Sequence, residues 1–490
     1  MYYIGIDLGT SAVKLLLMNQ NGAIQKIVSK EYPVEYPKPG WSQQNPEEWY
    51  EKTVDGLNEL LADYCKEEVA GISFGGQMHG LVILDKKDQV IRPAILWNDG
   101  RTTEETEYLN YKIGKEKLAS HTGNIAFAGF TAPKLLWIRK HEPENFSRID
   151  KIMLPKDYLS YRLTGIHSTD YSDASGTLLL DVKNKKWSNE MMEICGIRKE
   201  WMPVLYESHQ VVGTLLPEVC QLLSLPSRCK VAAGAGDNAA AAIGTATVGE
   251  GQCNISLGTS GTIFISARQF VKDSNNALHA FAHADGNYHL LGCMLSAASC
   301  NKWWMEEILK TRDFVKEQQD IFELGKNQIF FLPYLMGERS PYNNPNARAV
   351  FFGMSMDTSR EDMTQAVLEG VGFALRDSLE IAKRNGISIK CARICGGGAK
   401  SLLWRIIIAN ILNIKVESIR VEEGPAFGSA ILAAVACKEY ASVEEAANKL
   451  VMVTETLEPD AELSARYEEK YRKFKEIYPA CKPVFEILKQ

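Results

Sequence analysis

The segment Lys230-Val231-Ala232-Ala233-Gly234-Ala235-Gly236-Asp237-Asn238-Ala239-Ala240-Ala241-Ala242-Ile243-Gly244 lies near the middle of this 490-residue chain. Its apolar start reads as a short strand, and the alanines that follow read as a helix. Between them, glycines leave backbone amides uncovered, and Asp237 stands at the strand-to-helix junction. A strand, a glycine turn and a helix with a carboxylate at the junction predict an α/β fold with a catalytic acid or base at a strand end. The same aspartate is also suited to capping the helix, so its role depends on what else the chain brings to that point.

The N-terminus brings an anion-binding turn. Ile4, Ile6 and Leu8 alternate with Gly5 and Asp7, Gly9-Thr10-Ser11 reverses the chain, and Val13, Leu15 and Leu17 resume the alternation. This is a β-hairpin whose turn amides can face an anion, with Asp7 beside them. The tetrapeptide Leu8-Gly9-Thr10-Ser11 recurs half a chain later as Leu257-Gly258-Thr259-Ser260, again between alternating strands. A duplicated hairpin opening each half is the economical explanation. The second copy has Ser256 in place of Asp7, so only the first brings a carboxylate.

Two further strand patterns end in polar clusters. Val69 to Phe74 runs into Gly75-Gly76-Gln77-Met78-His79-Gly80, and Pro93 to Leu96 runs into Trp97-Asn98-Asp99-Gly100-Arg101. The second cluster can hydrogen-bond a polyol beside an aromatic wall, although Asp99 and Arg101 could equally form a surface pair. Asn45-Pro46-Glu47-Glu48 signals a helix start. Further on, a strand at Ala392 to Cys395 enters Gly396-Gly397-Gly398-Ala399, which permits close approach by a flat ligand or a phosphate, or close helix packing. His279, His283 and His289 share one strand parity, but no carboxylate or cysteine pattern accompanies them, so a metal site there is not expected. The Lys/Glu-rich end from Pro459 reads as a solvated helical tail.

Composition narrows the function classes. The chain is 45% apolar and 24% charged, with a net charge of −6 and no basic cluster, which argues against a nucleic-acid partner. No apolar run is long enough to cross a bilayer, and the first residues read as a strand rather than a signal peptide. Eleven scattered cysteines without C-x-x-C pairs read as buried thiols of a reducing cytoplasm. At this length two domains are expected. The P-loop and protein-kinase lysine patterns are absent, yet phosphoryl transfer can be built from other parts. The turns at Gly9 and Gly258 would hold phosphates, Asp7 a metal, Gly396 to Gly398 a nucleotide, and Asp237 would act as the base.

On these residues the chain resembles the FGGY carbohydrate kinases of the sugar kinase, actin and chaperone ATPase superfamily. Gly129-Phe130-Thr131-Ala132-Pro133-Lys134-Leu135-Leu136-Trp137-Ile138 is similar to the first family signature; Val350-Phe351-Phe352-Gly353-Met354, continuing through Asp362-Met363 and Ala366-Val367-Leu368-Glu369, is similar to the second. Gly76 to Gly80, Leu96 to Arg101, Leu154-Pro155-Lys156-Asp157-Tyr158 and Gly236 to Ala240 resemble the members that act on D-xylulose. The resemblance implies two ribonuclease H-like (actin-like ATPase) α/β domains, residues 1–246 and 247–490, around a central cleft. Sugar would sit on the first domain and nucleotide mainly on the second. It implies ATP-dependent phosphorylation of D-xylulose at C5 in the cytoplasm, with Mg²⁺, in a homodimer. By the same resemblance Asp237 accepts the hydroxyl proton, and Met78, His79, Trp97, Asp99 and Asn238 line the sugar site. Asp7 and Asp237 would serve the Mg²⁺. Thr10, Ser11, Gly258, Thr259 and Ser260 would hold phosphates, and Gly397, Gly398 and Ala399 the adenosine. Ala235 stands where relatives often have a glycine. The alternatives are a kinase for ribulose, gluconate or glycerol, and an actin- or chaperone-like ATP-driven binding protein. The latter would lack the Met78-His79 and Trp97-to-Arg101 rim.

Overall fold

The computed structural model describes residues 1–421 and 423–488. The hairpin β1 (Tyr2–Leu8) and β2 (Ala12–Asn19) extends antiparallel to β3 (Ile24–Glu31). On the other side β1 runs parallel to β4 (Val69–Gly76), which pairs parallel with β6 (Lys230–Ala232), and β5 (Val211–Thr214) closes that edge antiparallel to β6. The order is β5-β6-β4-β1-β2-β3.

The second half repeats this plan. The hairpin β7 (Gln252–Leu257) and β8 (Gly261–Ala267) is followed by β9 (His279–Ala282) and β10 (Tyr288–Met294). The strands β11 (Cys391–Cys395), β12 (Lys415–Ile419) and β13 (Val453–Leu457) complete the order β9-β10-β8-β7-β11-β12-β13. Strand senses match pair for pair: β7 is antiparallel to β8 and parallel to β11, as β1 is to β2 and β4. The repeated tetrapeptide therefore marks the same bend in two copies of one sheet, and the duplicated hairpin expected from the sequence is present.

Helices cover the sheets. The segment Pro46–Leu60 starts where expected, with the Asn45 side chain accepting from the Glu47 N–H, and packs on β2 and β3. The helices α1 (Asp237–Gly244) and α2 (Arg360–Arg384) follow their turns, and α3 (Leu402–Leu412) follows the triple glycine. From the second half, α4 (Gly424–Ala436) crosses back to lie on β1 and β4 and against α1, sharing a core with Tyr3, Leu16 and Met18. The C-terminal helix α5 (Ala461–Ile487) corrects the expectation of a solvated tail. Its Tyr467, Tyr471, Phe474 and Tyr478 recur at helical spacing and are buried in the second core. Lys470 is buried with them, paired to Glu369 of α2.

Candidate active site

Asp237 opens α1 as its first residue, and the short pairing of Ala235 with Gly75 and of Gly236 with Gly76 ties the turn to the end of β4. Its Oδ1 accepts the Asn238 N–H at 2.7 Å and the Asn238 side-chain amide at 3.0 Å. No donor among the described residues reaches Oδ2, and Asp237 lines a cavity of about 630 Å³. The capping alternative fails, because the carboxylate binds only its immediate neighbour and not the amides a turn further on. Burial pushes Asp237 up to about 6, partly offset by its bonds from Asn238. Beneath it, the Gly236 N–H donates to Ser172 Oγ at 3.1 Å, and Ser172 Oγ donates to Asp170 at 2.5 Å. Asp170 is held in turn by the fully buried ammonium of Lys156 at 3.0 Å. The Lys156 that the sequence places in a family motif thus fixes the backbone under the candidate base.

The cavity is walled from both halves of the chain. Met78, His79, Trp97 and Asn238 come from the first, and Ser260, Thr262, His279, Phe281 and Arg339 from the second. The sequence reading named candidate sugar contacts from the first half; the cavity they line is walled as much by the second. His79 adopts φ 69°, a left-handed conformation that a residue with a side chain enters at a cost of roughly 1–2 kcal/mol. Three bonds hold it there. His79 Nδ1 lies 2.7 Å from the Gly176 carbonyl, while the His79 carbonyl accepts from Lys134 Nζ at 2.8 Å and Thr131 Oγ1 at 3.1 Å. Burial pulls the imidazole down to about 3, so it is neutral. A carbonyl can only accept, so Nδ1 carries the proton and Nε2 is an acceptor. The ring stacks on Phe130 at 4.5 Å.

The bend between β7 and β8 separates this cavity from a second one of about 1000 Å³. Ser260 and Gly261 line the first cavity, and Leu257, Gly258 and Thr259 line the second, together with Gly397, Gly398 and Trp404. Of the three glycines, Gly396 takes φ +88°, and a side chain on it would meet the Leu257 carbonyl at 2.7 Å. Gly398 packs against Trp404, whereas Gly397 faces open space. Close packing and ligand access, the two readings of this turn, are therefore divided among its members.

Several expected residues lie elsewhere. Asp99 is buried away from the cavity, its carboxylate forked by Arg101 at 2.9 and 2.8 Å and accepting the Ser42 N–H at 2.6 Å. Arg101 is sandwiched by the Trp41 ring at 3.9 Å, so this is a buried structural pair and not a surface one. Ala399 packs on the second core and does not line the second cavity. Ser11 is exposed at the first bend, and Thr10 Oγ1 accepts from Trp97 Nε1 at 2.9 Å. Asp7 is pushed up to about 7 by burial and by the charge of the neighbouring Asp237, with Lys14 opposing the shift. Lys14 also pairs with Glu423 at the start of α4. The sequence reading weighed His279 only as a metal ligand and gave Lys14, Glu338 and Arg339 no role, since none sits in a glycine-bracketed strand end.

Two family models match the chain: the FGGY family of carbohydrate kinases, N-terminal domain, over residues 2–244, and its C-terminal domain over residues 253–437. The chain belongs to the FGGY family of carbohydrate kinases. Among its relatives, a xylulose kinase of Escherichia coli strain K12 is 40% identical, covering 98% of this chain and 99% of that one. A xylulose kinase of Bacillus subtilis strain 168 is 39% identical over 100% and 99%. A solved xyloylose kinase from Brucella ovis superposes with a TM-score of 0.94 at 38% identity, covering 99% of this chain and all of that one. A gluconate kinase from Lactobacillus acidophilus gives a TM-score of 0.94 at 27% identity, over 100% and 99%. The two sheets are thus those of an FGGY kinase, and ATP is the phosphoryl donor that such a kinase implies.

Proposed function

We propose that this FGGY kinase transfers the γ-phosphoryl group of ATP to the C5 hydroxyl of D-xylulose, releasing D-xylulose 5-phosphate and ADP. The observation that carries the reading is the bend Leu257–Gly261, which is shared by the two cavities while Asp237 lines the first. A nucleotide seated against Gly397 and Gly398 can run its phosphates over Gly258, Thr259 and Ser260 towards a sugar beside Asp237. Asp237 Oδ2 takes the proton of the attacking hydroxyl, and Oδ1, held by Asn238, keeps the carboxylate aimed. His79 Nε2 and Asn238 accept from or donate to sugar hydroxyls, and Met78 and Trp97 close the wall. Relatives near 40% identity that align over nearly the whole chain are xylulose kinases, which favours the ketopentose over a sibling specificity for ribulose, gluconate or glycerol.

Magnesium belongs to the same proposal. Two carboxylates, Asp7 and Asp237, repel one another at the site, which a cation would relieve. Among the described residues no group of three or more His, Cys, Asp or Glu side chains converges as a metal cage. That donor set suits Mg²⁺, which retains water and phosphate oxygens as ligands, and when bound it neutralises charge on the transferring phosphates. Also proposed are two domains at residues 1–246 and 247–490, a homodimer and a cytoplasmic location. The last is supported by eleven free thiols; among the described residues no helix is long and apolar enough to cross a membrane. The test is ADP release across a panel of ketoses and polyols. D-xylulose should give the highest kcat/KM, and a clear preference for glycerol, gluconate or ribulose would overturn the assignment.

A further inference from the structure

The sugar hydroxyls and the sugar carbonyl pose different chemical problems to the cavity. A hydroxyl both donates and accepts, and the first half of the chain meets it with acceptors: Asp237 Oδ2 and the unprotonated His79 Nε2. A ketose carbonyl oxygen only accepts; a polyol hydroxyl can accept from the same donor, but its own proton then needs an acceptor, so a pure donor with no acceptor beside it favours the carbonyl. Two side chains of that kind line the cavity. The Trp97 indole already donates to Thr10 at 2.9 Å. The other is Arg339, beside Ser340, whose backbone N–H donates to the Cys293 carbonyl of β10 at 2.9 Å.

Arg339 has its hydrogens to give. Among the described residues no carboxylate pairs with its guanidinium; Nε is buried without a partner and sealed from the cavity that Arg339 lines, which leaves the two terminal nitrogens to meet a ligand. The adjacent Glu338 does not neutralise it: Glu338 Oε1 accepts the Arg339 and Leu295 backbone N–H groups at 2.7 and 3.3 Å, and Oε2 has no partner. Burial pushes that carboxyl up to about 8, so it is largely protonated at neutral pH. The guanidinium lies over the Phe127 ring at 4.5 Å. Phe127 packs on Phe130 at 5.5 Å, and Phe130 stacks on His79 at 4.5 Å. One aromatic row thus sets the position of the donor relative to the acceptors across the cavity. A planar donor held on a ring face, unpaired and partly buried, lacks only an acceptor from the ligand.

We infer that Arg339 reads the carbonyl oxygen of the acceptor sugar and makes this kinase prefer a ketose to the corresponding polyol. The inference rests on the proposed D-xylulose reading and adds the group that selects the oxidation state at C2.

The experiment compares the KM of D-xylulose with the inhibition constant of a matching pentitol in the full-length wild type, Arg339→Gln and Arg339→Lys. A hydrogen bond to a charged group is worth roughly 10- to 100-fold in binding. Arg339→Gln is therefore expected to raise the ketose KM about 10- to 100-fold, with kcat within a few-fold and the pentitol constant moving less than about threefold. Arg339→Lys, which keeps a donor without the fork, should fall between. Equal weakening of ketose and pentitol, or an unchanged ketose KM, would overturn the inference. If Arg339→Gln shows no cooperative melting, Arg339→Lys decides by the same comparison. A wild type without D-xylulose turnover removes the functional reading itself, whereas normal wild-type turnover with unselective variants removes only the role of Arg339.

Discussion

As the proposed general base, Asp237 must shed its own proton before it can take one from a sugar. Burial holds it up to about 6, so below that pH the base is neutral and above it the base is charged and competent. The expected kcat/KM profile therefore rises about tenfold per unit on the acid side of pH 6 and flattens above it. A pH series of initial rates checks this, and a profile flat from pH 5 to 7 would contradict it. The residues around Asp237 were legible unevenly. Met78, His79 and Asn238 stand out because glycines bracket them at strand ends, and glycine-flanked turns are where backbone leaves room for a ligand. Arg339 and His279 gave no such sign: neither stands at a glycine-bracketed strand end, and the Phe127 ring that both meet lies far away in sequence. Asp99 was misplaced for the opposite reason. Asp-Gly-Arg reads as an exposed turn, and only the distant Trp41 and Trp137 bury the pair.

At the scale of elements, the closest approach is between α1 and α4. A Cβ on Gly428 would sit 1.8 Å from the Ala240 carbonyl, a contact that forces the two helices apart. Gly428→Ala should lower the thermal midpoint, by about 1–3 kcal/mol of stability for an overpacked contact. Gly397→Ala, whose Cβ meets nothing within 4 Å, should leave the midpoint in place. Differential scanning of both variants tests the pair, and an unmoved midpoint in Gly428→Ala would contradict the packing. Helix starts were readable here, because Asn45-Pro46 and the alanine run after Asp237 are local signals. The destination of α4 was not, since a helix from the second half lying on the first sheet is a long-range fact. The buried face of α5 could have been read from Tyr467, Tyr471, Phe474 and Tyr478, but the surrounding lysines and glutamates hide the stripe.

For the whole molecule, the repeated Leu-Gly-Thr-Ser together with the alternating strands that flank each copy pointed to two copies of one hairpin, and the structure shows both with matched strand senses. What a repeat cannot show is how the copies face each other. The structure answers with one bend serving two cavities and with Asp237 on the first, which the proposed function reads as the sugar side. The most direct test of that arrangement is sugar-dependent ADP release by Asp237→Asn, measured alongside the affinity for a non-hydrolysable ATP analogue. Loss of a general base should cut D-xylulose-dependent turnover on the order of 10²–10⁴-fold while analogue affinity and melting stay close to wild type. Near-normal turnover in the folded variant would contradict the account.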